Sequence, residues 1–76
     1  MSRVSDHTEK MTVTVNGEPV QAPLGCSVAD LVALMSLDTR KLAVERNLEI
    51  VPRSQYAATR LHANDQLEIV QFVGGG

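Results

Sequence analysis

Apolar and polar residues alternate between positions 11 and 15 of the chain. Met11, Val13 and Val15 fall on one face of an extended segment, and Thr12 and Thr14 fall on the other. This period of two, in a segment rich in β-branched residues, is typical of a half-buried strand. The pattern therefore predicts a first β-strand that begins near residue 11.

A hairpin is expected directly after this strand. Asn16-Gly17 is a strong hairpin signal because both residues tolerate positive φ, so residues 18–22 should return antiparallel to the first strand. Pro19 lacks a backbone N–H and is therefore expected near the turn or on an edge of the sheet.

The segment after the hairpin carries the signals of a helix start. Ser27-Val28-Ala29-Asp30 has the S-x-x-D form, in which a hydroxyl and a carboxylate bind free backbone amides, so a helix should begin at Val28. Four apolar residues follow the i, i+3, i+4, i+7 spacing of an amphipathic helix: Val28, Leu31, Val32 and Met35. This stripe is expected to pack against the sheet.

Extended chain is predicted again after the helix. Residues 42–51 predict two strands joined by a turn at Asn47, and Pro52 interrupts the second strand because it cannot donate to a ladder. Residues 53–60 predict a helical turn or an irregular loop that packs through Tyr56.

The last strand is predicted over residues 67–73, after a turn at Asn64-Asp65. Its alternation places Leu67 and Ile69 on one face. The opposite face then carries Glu68, Val70 and Phe72. Val70 and Phe72 are candidates for a partner-facing surface, because an apolar pair beside the chain end could be buried on docking; membership of the core is the alternative.

The predicted elements occur in the order strand, strand, helix, strand, short strand, strand. One main helix packed on one face of a mixed sheet of four to five strands is an α+β fold. The predicted organisation is a flexible polar leader over residues 1–10, a domain over residues 11–73 and a flexible glycine tail over residues 74–76.

The length and composition of the chain exclude several classes of function. The chain has 76 residues, 43% of them hydrophobic, a formal net charge of −2 and one cysteine. A chain this small has no room for a deep multi-residue active site, which excludes a large stand-alone enzyme. The acidic balance and the scarcity of aromatic residues argue against a nucleic-acid partner. No apolar run approaches the roughly 18 residues of a membrane span, and a lone cysteine is typical of a reducing compartment. A cytoplasmic protein is therefore predicted. We also expect the chain to be monomeric when free.

Three glycines end the sequence directly after the predicted last strand: Gly74, Gly75 and Gly76. Glycine has no side chain to bury and loses the most backbone entropy on ordering, so the fold does not require them. Three residues extend about 10 Å at roughly 3.3–3.6 Å each, enough to carry a terminal carboxylate through a narrow channel into a partner. A frayed terminus without a role is the alternative.

The carboxylate of Gly76 is the candidate reacting group. Carboxylates resist nucleophilic attack, whereas adenylation by ATP would give a mixed anhydride that a thiolate or persulfide can attack. The sequence contains no Walker-type glycine loop and no recognisable nucleophile with an adjacent base. The chain is therefore predicted to be a substrate of other enzymes and not itself an enzyme.

Three segments resemble the sulfur carriers of thiamin biosynthesis, the ThiS family: the Asn16-Gly17 hairpin, EIVPRSQY at residues 49–56 and LEIVQFVGGG at residues 67–76. Terminal glycines alone are shared with ubiquitin and with the small subunit of molybdopterin synthase. The specificity therefore comes from the I-V-P-R segment together with the final F-V-G-G-G. The resemblance covers residues 11–76 and implies a ubiquitin-like β-grasp fold.

The same resemblance implies a reaction cycle and its partners. Gly76 would be adenylated by an E1-like enzyme that consumes ATP, and then converted to a thiocarboxylate with sulfur from a cysteine desulfurase, directly or through a relay protein. Thiazole synthase would take up this sulfur for the thiazole ring of thiamin. The glycine pair Gly75 and Gly76 would thread into each partner site, with Gly74 as part of the entering tail, and the carrier would bind no cofactor or metal.

Three other functions stay open on the sequence. The chain could be a ubiquitin-like modifier joined through Gly76 to lysines, the small subunit of molybdopterin synthase, or a binding module with an idle tail. Cys26 lies next to the predicted helix start, which favours a thiolate, but the route through Gly76 needs no internal cysteine, so a small loop residue is preferred. His7 and His62 are interpreted as isolated loop residues, and Arg53 as a surface arginine that pairs locally, with a salt bridge to a partner as the alternative.

Overall fold

The computed structural model of the chain describes residues 9–72, which form one five-stranded sheet, one α-helix and two short 3-10 helices. The strands are β1 (Lys10–Val15), β2 (Glu18–Pro23), β3 (Leu42–Arg46), β4 (Glu49–Val51) and β5 (Gln66–Gln71). The helix α1 spans Val28–Leu34, and the 3-10 helices span Thr39–Lys41 and Arg53–Gln55. The sheet order is β2-β1-β5-β3-β4, with β1 and β5 parallel and the other pairs antiparallel. The predicted α+β fold with a mixed sheet is confirmed.

The first hairpin forms where the sequence predicts it. Asn16 and Gly17 have φ of 52° and 86°, and Val15 pairs with Glu18 across the turn. Positive φ at both central residues matches the right-handed twist of the two strands. Because β2 is an edge strand, Pro19 costs the sheet no interior hydrogen bond.

The helix begins at Val28, as predicted, because a capping box closes its first turn. The Asp30 backbone N–H donates to Ser27 Oγ at 3.1 Å, and the Ser27 backbone N–H donates to Asp30 Oδ2 at 3.0 Å. Val28, Leu31 and Val32 are buried against the sheet, whereas Met35 lies at the C-cap and is only partly buried. The apolar stripe is therefore one residue shorter inside the helix than its spacing suggested.

Most of the core comes from one face of the sheet and the facing side of α1, supplemented by the connection before β5. The segment after β4 contributes Tyr56 and Leu61, both buried. Its 3-10 helix followed by a loop that packs through Tyr56 confirms the expectation for residues 53–60.

Asn16 extends the contact between β1 and β5 beyond the end of β1. Its side-chain Nδ2 donates to the Ile69 carbonyl at 3.1 Å, and its Oδ1 accepts from the Ile69 N–H at 2.8 Å. The amide side chain thus takes the place of a strand residue after the main chain has turned away. On the other side of β5, pairing with β3 continues to Gln71, and the Phe72 N–H donates to the Lys41 carbonyl at 2.8 Å.

The last strand ends earlier than its alternation predicts. β5 stops at Gln71 instead of residue 73 because the ladder partner of Gln71 is Leu42, the first residue of β3. Phe72 keeps one backbone hydrogen bond, and Val73 lies outside the described residues.

A buried carboxylate fixes the start of β5. Asp65 is 7% exposed; its Oδ2 accepts from the His62 N–H at 2.8 Å and its Oδ1 accepts from Asn47 Nδ2 at 3.2 Å. Arg46 Nη1 lies 3.5 Å from Oδ2. Asn47 also holds both backbone groups of Gln66, so the β3–β4 turn, the preceding loop and β5 are joined at one point. Burial alone would raise the pKa of Asp65, but these hydrogen bonds and the Arg46 charge lower it below its usual range.

Candidate functional site

The sheet face opposite α1 carries the apolar residues predicted to be partner-facing. Val70 is 57% exposed and Phe72 is 55% exposed, whereas Leu67 and Ile69 on the other face of the same segment are buried. The alternative that Val70 and Phe72 belong to the core is therefore wrong. Large apolar side chains that the fold does not bury are candidates for contact with another protein.

Two further apolar residues extend this surface across the sheet. Ala43 of β3 lies directly opposite Val70, and Ile50 of β4, which is 74% exposed, lies on the same face opposite Glu45. We call the set Ala43, Ile50, Val70 and Phe72 the apolar patch. Ile50 was not identified as an exposed residue from the sequence. The period of two predicts that Ile50 lies on the face opposite the buried Val51, but the two residues are both apolar and adjacent, so no alternation was apparent.

The apolar patch includes the last described residue of the chain, which is close in sequence to the glycine tail. Phe72 is the last described residue and precedes Gly74 by two positions. Gly74, Gly75 and Gly76, the residues predicted to enter partner sites and to carry the reacting carboxylate, lie outside the described residues. The surface and the tail are thus adjacent along the chain.

Cys26 is placed unfavourably for sulfur chemistry. Its side chain belongs to the buried core, and burial, followed by the nearby Asp30 charge, raises the pKa of its thiol. Because the thiolate is the reactive form, these surroundings disfavour the activation that a helix start could have provided. Cys26 borders an open groove of about 580 Å³ with Leu24, Leu34 and Arg60.

The remaining candidates form no site in the part of the chain that the structure describes. Between residues 9 and 72, no three His, Cys, Asp or Glu side chains are grouped so that they could hold a metal ion. No helix in this region is long and apolar enough to cross a membrane. His62 and Arg53 are exposed, and His7 lies outside the described residues.

The comparison with protein families decides the classification. The model of the ThiS family matches residues 13–76, which include the second half of β1, the apolar patch and the glycine tail. The chain belongs to the ThiS family. Among solved structures, the ThiS protein of Geobacter metallireducens superposes with a TM-score of 0.75 at 30% identity, covering 87% of this chain and all of the other. This agreement confirms the β-grasp fold that the resemblance implied.

Two curated relatives place the ThiS-family chain in different protein contexts. The sulfur carrier protein ThiS of Bacillus subtilis is 42% identical over 50 residues, which are 66% of this chain and 76% of that protein. A thiazole synthase of Paramagnetospirillum magneticum is 47% identical over 66 residues, which are 87% of this chain. The chain spans only 20% of the length of that synthase. A ThiS-like segment therefore occurs within a larger thiazole synthase protein.

Proposed function

We propose that this chain is a sulfur carrier for formation of the thiazole moiety of thiamin. The observation that carries the proposal is the family match through residue 76, which joins an exposed apolar patch to a terminal run of glycines. The segment shared with a thiazole synthase supports the choice of that enzyme as the sulfur acceptor.

The proposed chemistry takes place at Gly76 in the sites of partner enzymes. Its carboxylate attacks the α-phosphorus of ATP on an E1-like enzyme, which releases pyrophosphate and forms an acyl adenylate. The terminal sulfur of a persulfide, supplied by a cysteine desulfurase directly or through a relay protein, attacks the carbonyl carbon and displaces AMP. Attack by a partner thiol on the resulting acyl disulfide leaves a thiocarboxylate on Gly76 and a disulfide on the partner.

The folded domain must supply much of the affinity for these partners. Ordering the backbone of three glycines costs on the order of 1–2 kcal/mol each, so the tail alone binds weakly. Burying an apolar side chain of the patch contributes roughly 1.5–3 kcal/mol, which offsets that cost. We propose that Val70 and Phe72 make these contacts while Gly74 and Gly75 occupy the channel.

Intact-mass analysis tests the proposed function. The purified chain is incubated with ATP, an activating enzyme, a cysteine desulfurase and cysteine, and the product is fragmented to locate the change. Exchange of one oxygen for sulfur at Gly76, followed by its loss on addition of thiazole synthase and the other thiazole precursors, is expected. Lysine-linked conjugates without oxygen-to-sulfur exchange would instead support a protein modifier.

Replacing Phe72 by alanine should weaken binding to thiazole synthase about tenfold, because the variant loses apolar area at the proposed contact. The free energy of unfolding should change much less, since Phe72 is more than half exposed. Titration calorimetry and chemical denaturation measure the two effects. Leu67→Ala in the preceding strand β5 is the matched control: it removes a buried side chain and should lower the free energy of unfolding more than Phe72→Ala does. A larger effect of Phe72→Ala on stability than on binding contradicts the assignment.

Replacing Cys26 by serine should leave the extent of sulfur loading at Gly76 unchanged, because the buried thiol takes no part in the proposed route. The substitution places a hydroxyl in the core, so loading is compared at a temperature where circular dichroism shows both proteins folded. Loss of loading in a folded Cys26→Ser variant would assign the thiol a role in transfer.

A further inference from the structure

Two glutamates face each other on the sheet face that carries the apolar patch. Glu45 of β3 and Glu68 of β5 are direct cross-strand partners, and their side chains share the face that carries Val70 and Ala43. Cβ atoms of such partners are typically about 4.5–5.5 Å apart, and like charges directly opposite one another destabilise a sheet. The pair therefore costs the free domain stability.

No basic side chain within residues 9–72 offsets this repulsion by an ion pair. The two ion pairs of this region join Arg40 to Asp38 and Arg46 to Asp65. Arg46 follows Glu45 directly but projects to the opposite face of β3, where it is held near the buried Asp65. Among the described residues, the carboxylates of both glutamates thus have unused acceptor capacity.

The position of the pair links it to the apolar patch. Val70 and Ala43 occupy the adjacent row of the sheet, two residues from Glu68 and Glu45, and Ile50 lies directly across from Glu45 in β4. Glu45 thus lies next to Ile50 and Glu68 next to Val70, so a partner that covers both apolar residues also covers the carboxylates beside them. Burying two unpaired like charges would be costly, so such a partner needs a compensating cation.

We propose that this face docks on a thiazole synthase surface that presents an arginine or lysine between Glu45 and Glu68. This inference rests on the proposed function and adds the chemistry by which the partner is selected. A guanidinium can bind carboxylates through charge-assisted hydrogen bonds and at the same time remove their mutual repulsion. The acidic pair then supplies specificity and faster association, and the apolar patch supplies buried area.

The test compares neutralising substitutions at two places on the sheet. Glu45→Gln with Glu68→Gln should weaken binding to thiazole synthase about tenfold at low salt and make the remaining affinity less dependent on salt. Glu18→Gln, the same change at the exposed β1–β2 hairpin, is the matched control and should leave both unchanged. Thermal unfolding checks the fold; the double variant should be at least as stable as the wild type, because the substitutions remove repulsion.

Each outcome bears on the proposal separately from the sulfur-carrier function. Wild-type affinity and salt dependence in the double glutamine variant would overturn the cationic contact, even if Gly76 is loaded with sulfur. Absence of binding between the wild-type chain and thiazole synthase would also overturn it, as would an effect confined to the activating enzyme. Failure of oxygen-to-sulfur exchange at Gly76 would reject the proposed function instead. Charge reversal by Glu68→Lys should weaken binding further than Glu68→Gln, and tighter binding by the lysine variant would contradict the assigned sign.

Discussion

Appending one leucine after Gly76 should abolish sulfur loading. The addition moves the terminal carboxylate by about 3.3–3.6 Å and places a branched side chain where the proposed channel admits only glycine. Misplacement of a reacting group on this scale costs orders of magnitude in rate. Intact-mass measurement of the Gly76-Leu product, after incubation with ATP, activating enzyme and sulfur donor, should find oxygen only.

The same leucine added before Met1 is the matched control for this experiment and should load normally. Gly75→Ala tests the narrowness of the channel without moving the carboxylate, and it should slow both loading and delivery. Loading of the extended chain at the wild-type rate, with the added leucine still present in the mass spectrum, would contradict the proposed route through the terminal carboxylate.

Asp65→Ala should cause the largest loss of stability among the polar substitutions considered. It leaves the His62 backbone N–H and the Asn47 amide without their acceptor in a site where Asp65 is 7% exposed. The expected loss is about 2–3 kcal/mol, against a total of roughly 5–10 kcal/mol for a domain of this size. The midpoint of urea denaturation measures it, and a change of no more than a few tenths of a kcal/mol would contradict the structural role.

Two comparisons sharpen the Asp65 prediction. Asp38 also has a lowered pKa, about 2, because of hydrogen bonds from the Arg40 side chain and then its backbone, but it is a surface group. Asp38→Ala should therefore lower the denaturation midpoint less than Asp65→Ala. Because the pKa of Asp65 is lowered on folding, its contribution is complete above the ordinary carboxyl pKa near 4 and is lost as pH falls through the folded value. Asp65→Asn should flatten this acid dependence.

Local signals made the first half of the fold predictable. The Asn16-Gly17 hairpin and the Ser27–Asp30 capping box each form their backbone hydrogen bonds within a few residues. The local sequence is therefore sufficient to predict both elements. The β3–β4 turn was only partly predictable. Asn47 was expected there, but Leu48 also adopts a positive φ of 72°, a conformation that usually selects glycine or asparagine.

Interactions between distant residues were not predictable from a single sequence. Asn16 binds the backbone of Ile69, and Asp65 binds Asn47, yet neither pairing leaves a periodic or spacing signal. The end of β5 had the same problem, because it depends on where β3 begins. Alternation predicts which face of the sheet a residue occupies, but it does not predict how far the neighbouring strand extends.

The candidate site was also predictable only in part. Alternation in the last strand placed Val70 and Phe72 on the face opposite the core, and the structure exposes both. Glu45 and Glu68 are 23 positions apart in the sequence, and they face each other only because of the register in which β3 pairs with β5. Their shared surface became visible only once that register was known.

The parallel contact between β1 and β5 has a mechanical consequence. These strands lie near the two ends of the described chain. Thr14 pairs with Gln66 and Val15 pairs with Leu67. The Asn16 side chain adds two hydrogen bonds to the backbone of Ile69. Tension applied between the ends would load these hydrogen bonds in shear, so several must rupture together, whereas an antiparallel hairpin pulled at its open end unzips one bond at a time. The fold should therefore withstand traction on its C-terminal side, as when a tail is drawn into a tight channel, without unravelling.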